Sequence, residues 1–165
     1  MCFSLHLRDL GASDSLIGSA WAIGVLFEVA LMAFAEPLVA RFTGPPLVAF
    51  ALLGASARWA IFANLRSLPV LLALQPLHAL SFALWWIASL AYTRQRAPAH
   101  ALATAQGLFT ASLAAGSVAG MLAWGTLYRR AGGGTVFGAA AVIAFGTALL
   151  AMFWARRLSR AVPLA

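Results

Sequence analysis

The sequence predicts an all-α membrane protein with about five complete transmembrane helices plus the end of a sixth. Of the 165 residues, 63% are hydrophobic and 9% are charged, where a soluble domain carries about 25% charged residues. The apolar residues gather into five runs, Leu16–Val39, Pro46–Ala63, Pro69–Tyr92, Leu102–Leu127 and Thr135–Ala155. Each is near the roughly 20 residues that a helix needs to cross hydrocarbon. Barrel strands would alternate in segments of about 10 residues, and these runs are too long and too uniform for that.

Met1 to Leu10 has no basic leading region and only a short apolar stretch, so it does not read as a signal peptide. Its end, Arg8-Asp9-Leu10-Gly11, reads as the last turns of a helix, so residues 1–10 are expected to close a truncated helix. The first full run carries Glu28, the second Arg58, and the third Gln75 and His78. In the fourth, Ser112, Gly116 and Gly120 recur every fourth residue, a small-xxx-small face predicted to pack closely against another helix. After the fifth, residues 156–165 form an Arg-rich tail. The connections, Arg41–Gly44, Asn64–Leu68, Thr93–Ala101 and Tyr128–Gly134, leave no room for a soluble domain, so residues 1–165 are expected to form a single transmembrane bundle. Gly132-Gly133-Gly134 follows an Arg pair and reads as a helix end and flexible turn.

The +7 net charge comes entirely from arginine over four acids. These arginines lie mostly between runs or at their ends, so they report topology rather than a nucleic-acid surface. Arg41, Arg94, Arg96, Arg156, Arg157 and Arg160 share one side; Arg8, Arg66, Arg129 and Arg130 share the other. The richer side should be cytoplasmic, with the C-terminus there. Trp85, Trp86 and Trp154 fall toward that interface and Trp124 toward the opposite one, as aromatic belts. The single cysteine, Cys2, allows no intrachain disulfide and no cysteine cage, and no metal or cofactor is expected. Enzyme signatures are missing too: there is no His-Glu-x-x-His, no Gly-x-Ser-x-Gly and no pair of intramembrane carboxylates, Glu36 lying near an interface.

A weak internal repeat joins two of the runs. Ser15-x-x-Gly18 and Leu38-x-x-Arg41-x-x-Gly44 recur as Thr104-x-x-Gly107 and Leu127-x-x-Arg130-x-x-Gly133, a common offset of 89 (15 to 104, 38 to 127). The copies would run in opposite directions, as in inverted-topology transporter repeats.

Glu28 carries the functional expectation. A carboxylate in the middle of an apolar run costs roughly 2.5–3.5 kcal/mol on insertion scales, so it calls for a partner, a proton or a water-filled cavity. Counting about 1.5 Å per residue from the outer ends puts Glu28 at about 18 Å, His78 at about 14 Å and Arg58 at about 9 Å. A direct Glu28–Arg58 contact would need the arginine to reach inward, or water or His78 between them. The simpler alternative for Arg58 is to reach out to the outer interface. Gln75 and His78, three residues apart on one face, are candidates for binding a substrate or relaying a proton. Trp21, Phe27 and Trp59 are candidates for stacking on it.

Several stretches together resemble major facilitator superfamily transporters: Asp14-Ser15-Leu16-Ile17-Gly18 through Trp21 to Val29, Ser56-Ala57-Arg58-Trp59, Leu77-His78-Ala79-Leu80-Ser81-Phe82, and Ala105-Gln106-Gly107-Leu108-Phe109. The closest likeness is to the phenylpropionate-permease type, near the nucleoside and oligosaccharide proton symporters, and it runs from Met1 to about Phe137. The resemblance implies the second half of a twelve-helix fold, one that needs an N-terminal six-helix half. It places Arg58 and the Leu77-His78 pair at positions that are an arginine and a Leu-His pair in the sugar symporters, and Gln106 near the inner mouth. It also departs from the pattern: a glutamate that those symporters use in proton transfer is here Ser81, and a histidine frequent in phenylpropionate-type relatives is here Trp86. Glu28 is then the expected proton-coupling carboxylate.

The expectation is therefore a secondary transporter, a proton symporter of a small organic solute such as an aromatic acid, nucleoside or sugar, in a bacterial plasma membrane. The alternative is a non-transporting membrane protein that packs against a partner helical bundle.

Overall fold

The computed structural model describes residues 2–42 and 44–161, the side chains of Glu36, Ala40 and 158–161 excepted. The expectations for Glu36 as an interfacial residue and for the end of the tail lie outside the described residues. Every regular element among them is helical: α1 (Cys2–Asp9), α2 (Asp14–Ala33), α3 (Ala35–Arg41), α4 (Pro45–Asn64), α5 (Leu68–Ala73), α6 (Pro76–His78), a π-helical turn (Ala79–Ala83), α7 (Leu84–Arg96), a 3₁₀ turn (Ala99–Ala101) and α8 (Leu102–Ala161). This is an integral membrane protein.

By length and apolar composition three of the described helices can cross a membrane, Asp14–Ala33, Pro45–Asn64 and the stretch Ala99–Arg157. Five runs were expected, and local chemistry accounts for the difference. Leu16–Val39 divides at Phe34 (φ −105°, ψ 15°) into α2 and α3. Pro37 lies just beyond, with no N–H to offer the carbonyl four residues back and a ring that crowds it. Pro69–Tyr92 is cut into α5, α6, the π turn and α7, although the joining residues Leu74, Gln75, His78 and Ala79 all stay in the right-handed helical range. Pro76 again removes a donor, and the Leu72 carbonyl is taken by the Gln75 N–H at 3.0 Å instead. The last two runs join as one α8, broken only at Gly132 (φ 76°, ψ 174°).

Gly132 divides α8 into two arms with opposite directions. In the first arm Phe109 meets Trp85 and Trp86, and the Tyr128 hydroxyl donates to Asp9 at the end of α1. The second arm then runs back along α4. A Cβ on Gly134 would lie 3.1 Å from the Ala63 carbonyl, and seven residues later the Ala141 carbonyl accepts from Ser56 Oγ at 2.8 Å. Of the three glycines predicted to form a flexible turn, only Gly132 leaves the helix. Gly133 instead lies against the His6 ring, where an added Cβ would collide with Nδ1 unless the ring moved.

Two apolar clusters anchor the bundle at opposite ends. One gathers Leu7, Ala12, Ile17, Ala20, Phe62, Leu71 and Phe137; the other gathers Leu47, Ala51, Leu84 and Ala88, with Leu31 and Leu38 against them. At the first end α1 closes with paired turn hydrogen bonds, Gly11 N–H to Arg8 O and Ala12 N–H to Leu7 O, both 2.9 Å, around Gly11 at φ 87°. This is a Schellman cap, which needs a residue in the left-handed region. Ser13 then caps α2, its Oγ accepting from the Leu16 N–H at 3.3 Å. The small-residue face of the first arm behaves otherwise than expected. Ser112 and Gly116 are exposed, nothing lies within 4 Å of a Cβ built on Gly116, and Gly120 meets its own helix's Trp124. The close helix approach predicted there is not made among the described residues.

Candidate functional site

The site is built where α2 lies closest to α6. Gly24 faces the side chains of that segment: a Cβ there would be in ordinary contact with His78 Cδ2 at 3.4 Å and Gln75 Oε1 at 4.0 Å. Trp21, Gly24 and Glu28 fall at i, i+3 and i+7, one face of the helix. One turn beyond Gly24, Glu28 Oε1 therefore reaches His78 Nε2 at 2.9 Å, with side chains only 14% and 20% exposed. The carboxylate faces protein rather than the exposed flank of α2 that carries Val25, Leu26 and Val29. The pairing agrees with the depths counted along the sequence, which put Glu28 and His78 only about 4 Å apart.

His78 is held from several sides. Trp21 presents its ring edge-on at 6.3 Å between centroids, and Phe82 stacks at 5.4 Å with planes 18° apart. Trp21 is itself tied to α1 through Nε1, which donates to Ser4 Oγ at 3.0 Å. Beyond Phe82 the rings of Trp85, Trp86 and Phe109 continue to the first arm of α8. The π turn begins directly after His78. Single π turns inside α-helices are frequent at functional sites because they re-aim side chains. Ser81, within the turn, donates to the Leu77 and His78 carbonyls, both 3.1 Å.

Gln75 is buried, and its Nε2 donates to the Leu71 carbonyl at 2.8 Å. Arg58 occupies a core position of α4, on the stripe that also buries Leu47, Ala51, Ala55 and Phe62. It is 7% exposed, so it does not reach out to the interface. Its guanidinium carbon stands 5.2 Å over the Phe62 ring, and its Nε and Nη1 have no hydrogen-bond partner among the described residues. Glu28 and His78 both lie within electrostatic range of it, and neither forms an ion pair with it among the described residues.

The structure thus brings Glu28, His78, Gln75 and Trp21 together, with Arg58 buried on α4 within electrostatic range of Glu28 and His78. Other expected residues stand apart. Phe27 is 45% exposed on a different face of α2, and Trp59 packs against the apolar cluster around Phe62. No hydrogen bond or ion pair among the described residues joins the Gln106 side chain to this group. Sequence reasoning missed Phe82, Gly24 and Ser4 as parts of the site. Phe82 was findable, being four residues after His78 and so on its helix face; Gly24 and Ser4 gave no such signal. Among the described residues no group of three or more metal-binding side chains gathers.

The MFS_1 like family matches residues 2–139 of the chain. A curated relative named "Probable 3-phenylpropionic acid transporter", from Escherichia coli strain K12, is 29% identical over 86% of the chain and 37% of its own length. Another, "Uncharacterized transporter YwbF" from Bacillus subtilis strain 168, is 31% identical over 66% of the chain and 27% of its own length. The chain thus spans about a third of the length of these relatives, which are named as transporters and not as enzymes. No solved structure matches it.

Proposed function

The chain belongs to the MFS_1 like family, and from that membership we propose that it forms one helical bundle of a secondary active transporter, a proton symporter of a small organic solute. The bundle crosses a bacterial plasma membrane five times with its C-terminus cytoplasmic, and a second, N-terminal six-helix bundle supplies the facing wall. The observation that carries this reading is the 2.9 Å contact of Glu28 with His78 inside an apolar layer. A carboxylate facing an imidazole at that distance can take up and release one proton. Without it the pair bears one negative charge; with it the pair is neutral. Arg58, on the neighbouring helix, feels that change. Alternating access then follows from two bundles rocking about a midplane site, as inverted repeats permit. Because the polar wall is only half of the site, the 165 residues alone should not move solute.

In proteoliposomes containing the two-bundle carrier, Glu28→Gln should abolish solute-driven proton uptake while leaving solute exchange measurable. Proton uptake at the unsubstituted rate would remove Glu28 from the role.

One observation favours a second reading, a non-transporting protein that docks on another bundle. The Ser112, Gly116 and Gly120 face lies open along a groove of about 610 Å³ with Cys2 and Trp124 at its sides. Co-purification with a six-helix partner, together with no solute movement by the pair, would select it.

A further inference from the structure

A groove of about 570 Å³ lies apart from that site, between α2 and α3 on one side and the start of α4 on the other. Its floor is the second apolar cluster, where Leu47 and Leu84 are buried and Leu31 and Leu38 pack against them. Phe42, Phe50 and Leu80 stand exposed along it, and neither Glu28 nor His78 lines it. Among its described lining residues only Arg41 is charged. We propose that this groove binds an anionic phospholipid, with one acyl chain along the apolar floor and the headgroup phosphate on Arg41.

Length argues for a lipid tail. Leu31 precedes Arg41 by ten residues (41 − 31), about 15 Å at helical rise, which is half of the roughly 30 Å hydrocarbon core. The groove is thus one leaflet deep, the reach of one acyl chain. A membrane-spanning helix of a partner would touch it over only half its length. Charge then selects the headgroup, since lipid tails are as apolar as leucine and any of them fills the floor equally well. Arg41 lies in the last turn of α3, exposed, with its guanidinium carbon 5.9 Å from the Phe42 ring centroid at the mouth of the groove. The three carboxylates whose side chains are described are engaged elsewhere, Asp9 by Tyr128, Asp14 by Arg8 and Glu28 by His78. None of them neutralises Arg41, and a guanidinium offers a phosphate two parallel N–H donors. The orientation proposed above sets this mouth in the cytoplasmic leaflet, whose negative surface attracts such cations.

The test titrates the 165-residue chain in detergent with dioleoylphosphatidylglycerol and with dioleoylphosphatidylcholine, and native mass spectrometry reads the occupancy of the first lipid bound. Phosphatidylglycerol should bind about 5-fold tighter, the scale of one basic side chain at an anionic headgroup. Arg41→Gln should bring that ratio to about 1. Arg157→Gln, at an arginine assigned to the same membrane face, should leave it in place. A phosphatidylglycerol with a diazirine near the end of its acyl chain gives an independent reading: on illumination it should attach to Leu31 or Leu80, at the deep end of the groove. Equal affinities in the unsubstituted chain, an equal loss in Arg41→Gln and Arg157→Gln, or attachment outside the groove overturns the proposal. A dimer that excludes the lipid also overturns it and gives the groove to a second copy of the chain. No solute or proton gradient enters these measurements, so their failure is distinct from failure of the transport reading.

Discussion

Two carboxylate contacts in this chain invite comparison. Arg8 Nη2 and Asp14 Oδ1 approach to 2.6 Å at the end of the bundle, with side chains 64% and 84% exposed. Glu28 and His78 stand at 2.9 Å in the wall, with side chains 14% and 20% exposed. By distance alone the first pair is the closer. Surroundings reverse the ranking. Around Arg8 and Asp14 water and salt screen the attraction and compete for both groups, so such pairs contribute about 0–1 kcal/mol. Around Glu28 and His78 solvent is largely replaced by Trp21, Gly24 and Phe82. There the attraction is stronger, and so is the penalty for losing a partner.

The largest expected effect comes from breaking the inner pair from the side of the base. His78→Ala leaves the Glu28 carboxyl beside an empty space and also removes the ring against which Phe82 stacks and Trp21 rests. Leaving a largely buried acceptor without its hydrogen-bond partner costs about 1–3 kcal/mol. Thermal unfolding in detergent, followed by circular dichroism, should therefore show a clear drop in midpoint. A loss no greater than that of an Arg8 substitution would erase the distinction between the two pairs.

A smaller effect of opposite sign is expected at Arg58. Its guanidinium is buried in an apolar stripe with donors unmatched among the described residues, an arrangement that costs stability. Apolar replacements of buried charges are often stabilising by about 1–4 kcal/mol. Arg58→Met should raise the unfolding midpoint by the equivalent of about 1 kcal/mol while abolishing solute uptake by the two-bundle carrier. Residues kept for function at a cost in stability show this trade-off. A fall in midpoint would mean that Arg58 has a structural partner after all.

How far the sequence foretold this arrangement depends on what sets each feature. Glu28 and His78 were legible because a charge in an apolar run is conspicuous and because rise per residue places both at nearly one depth. Arg58 was legible as a residue of interest, but its lack of a partner was not. Which way a helix turns about its own axis is decided by packing, here the stripe from Leu47 to Phe62. The apolar runs were legible and their interruptions only in part: Pro37 and Pro76 stand in plain view, while no residue pattern announces a π turn at Ala79. The two arms of α8 teach the same lesson. Both carry small residues at helical spacing, yet only the second packs them, with Ala141, Ala144 and Ala148 buried, while Ser112 and Gly116 lie open. Spacing states that a close approach is permitted; it does not name the partner.

The smallest expected effect belongs to the outer pair, and its smallness is informative. Asp14 is the first residue of α2, beside the Ser13 cap, so its charge also faces the positive end of the helix dipole. Asp14→Asn alone would mix that effect with loss of the contact to Arg8. A double-mutant cycle with Arg8→Gln and Asp14→Asn isolates the pair, and its coupling energy should be no more than about 0.5 kcal/mol. It should fade further when salt is raised to about 1 M, where the screening length falls to about 3 Å. The same cycle on Glu28 and His78, run with Glu28→Gln and His78→Ala, should give a several-fold larger coupling that salt barely changes, because ions do not enter the apolar layer. If both couplings were to shrink together with salt, the inner pair would have to be in contact with bulk water. A proton site open to water on that face could not hold its proton against leakage, and coupled transport through Glu28 would lose its basis.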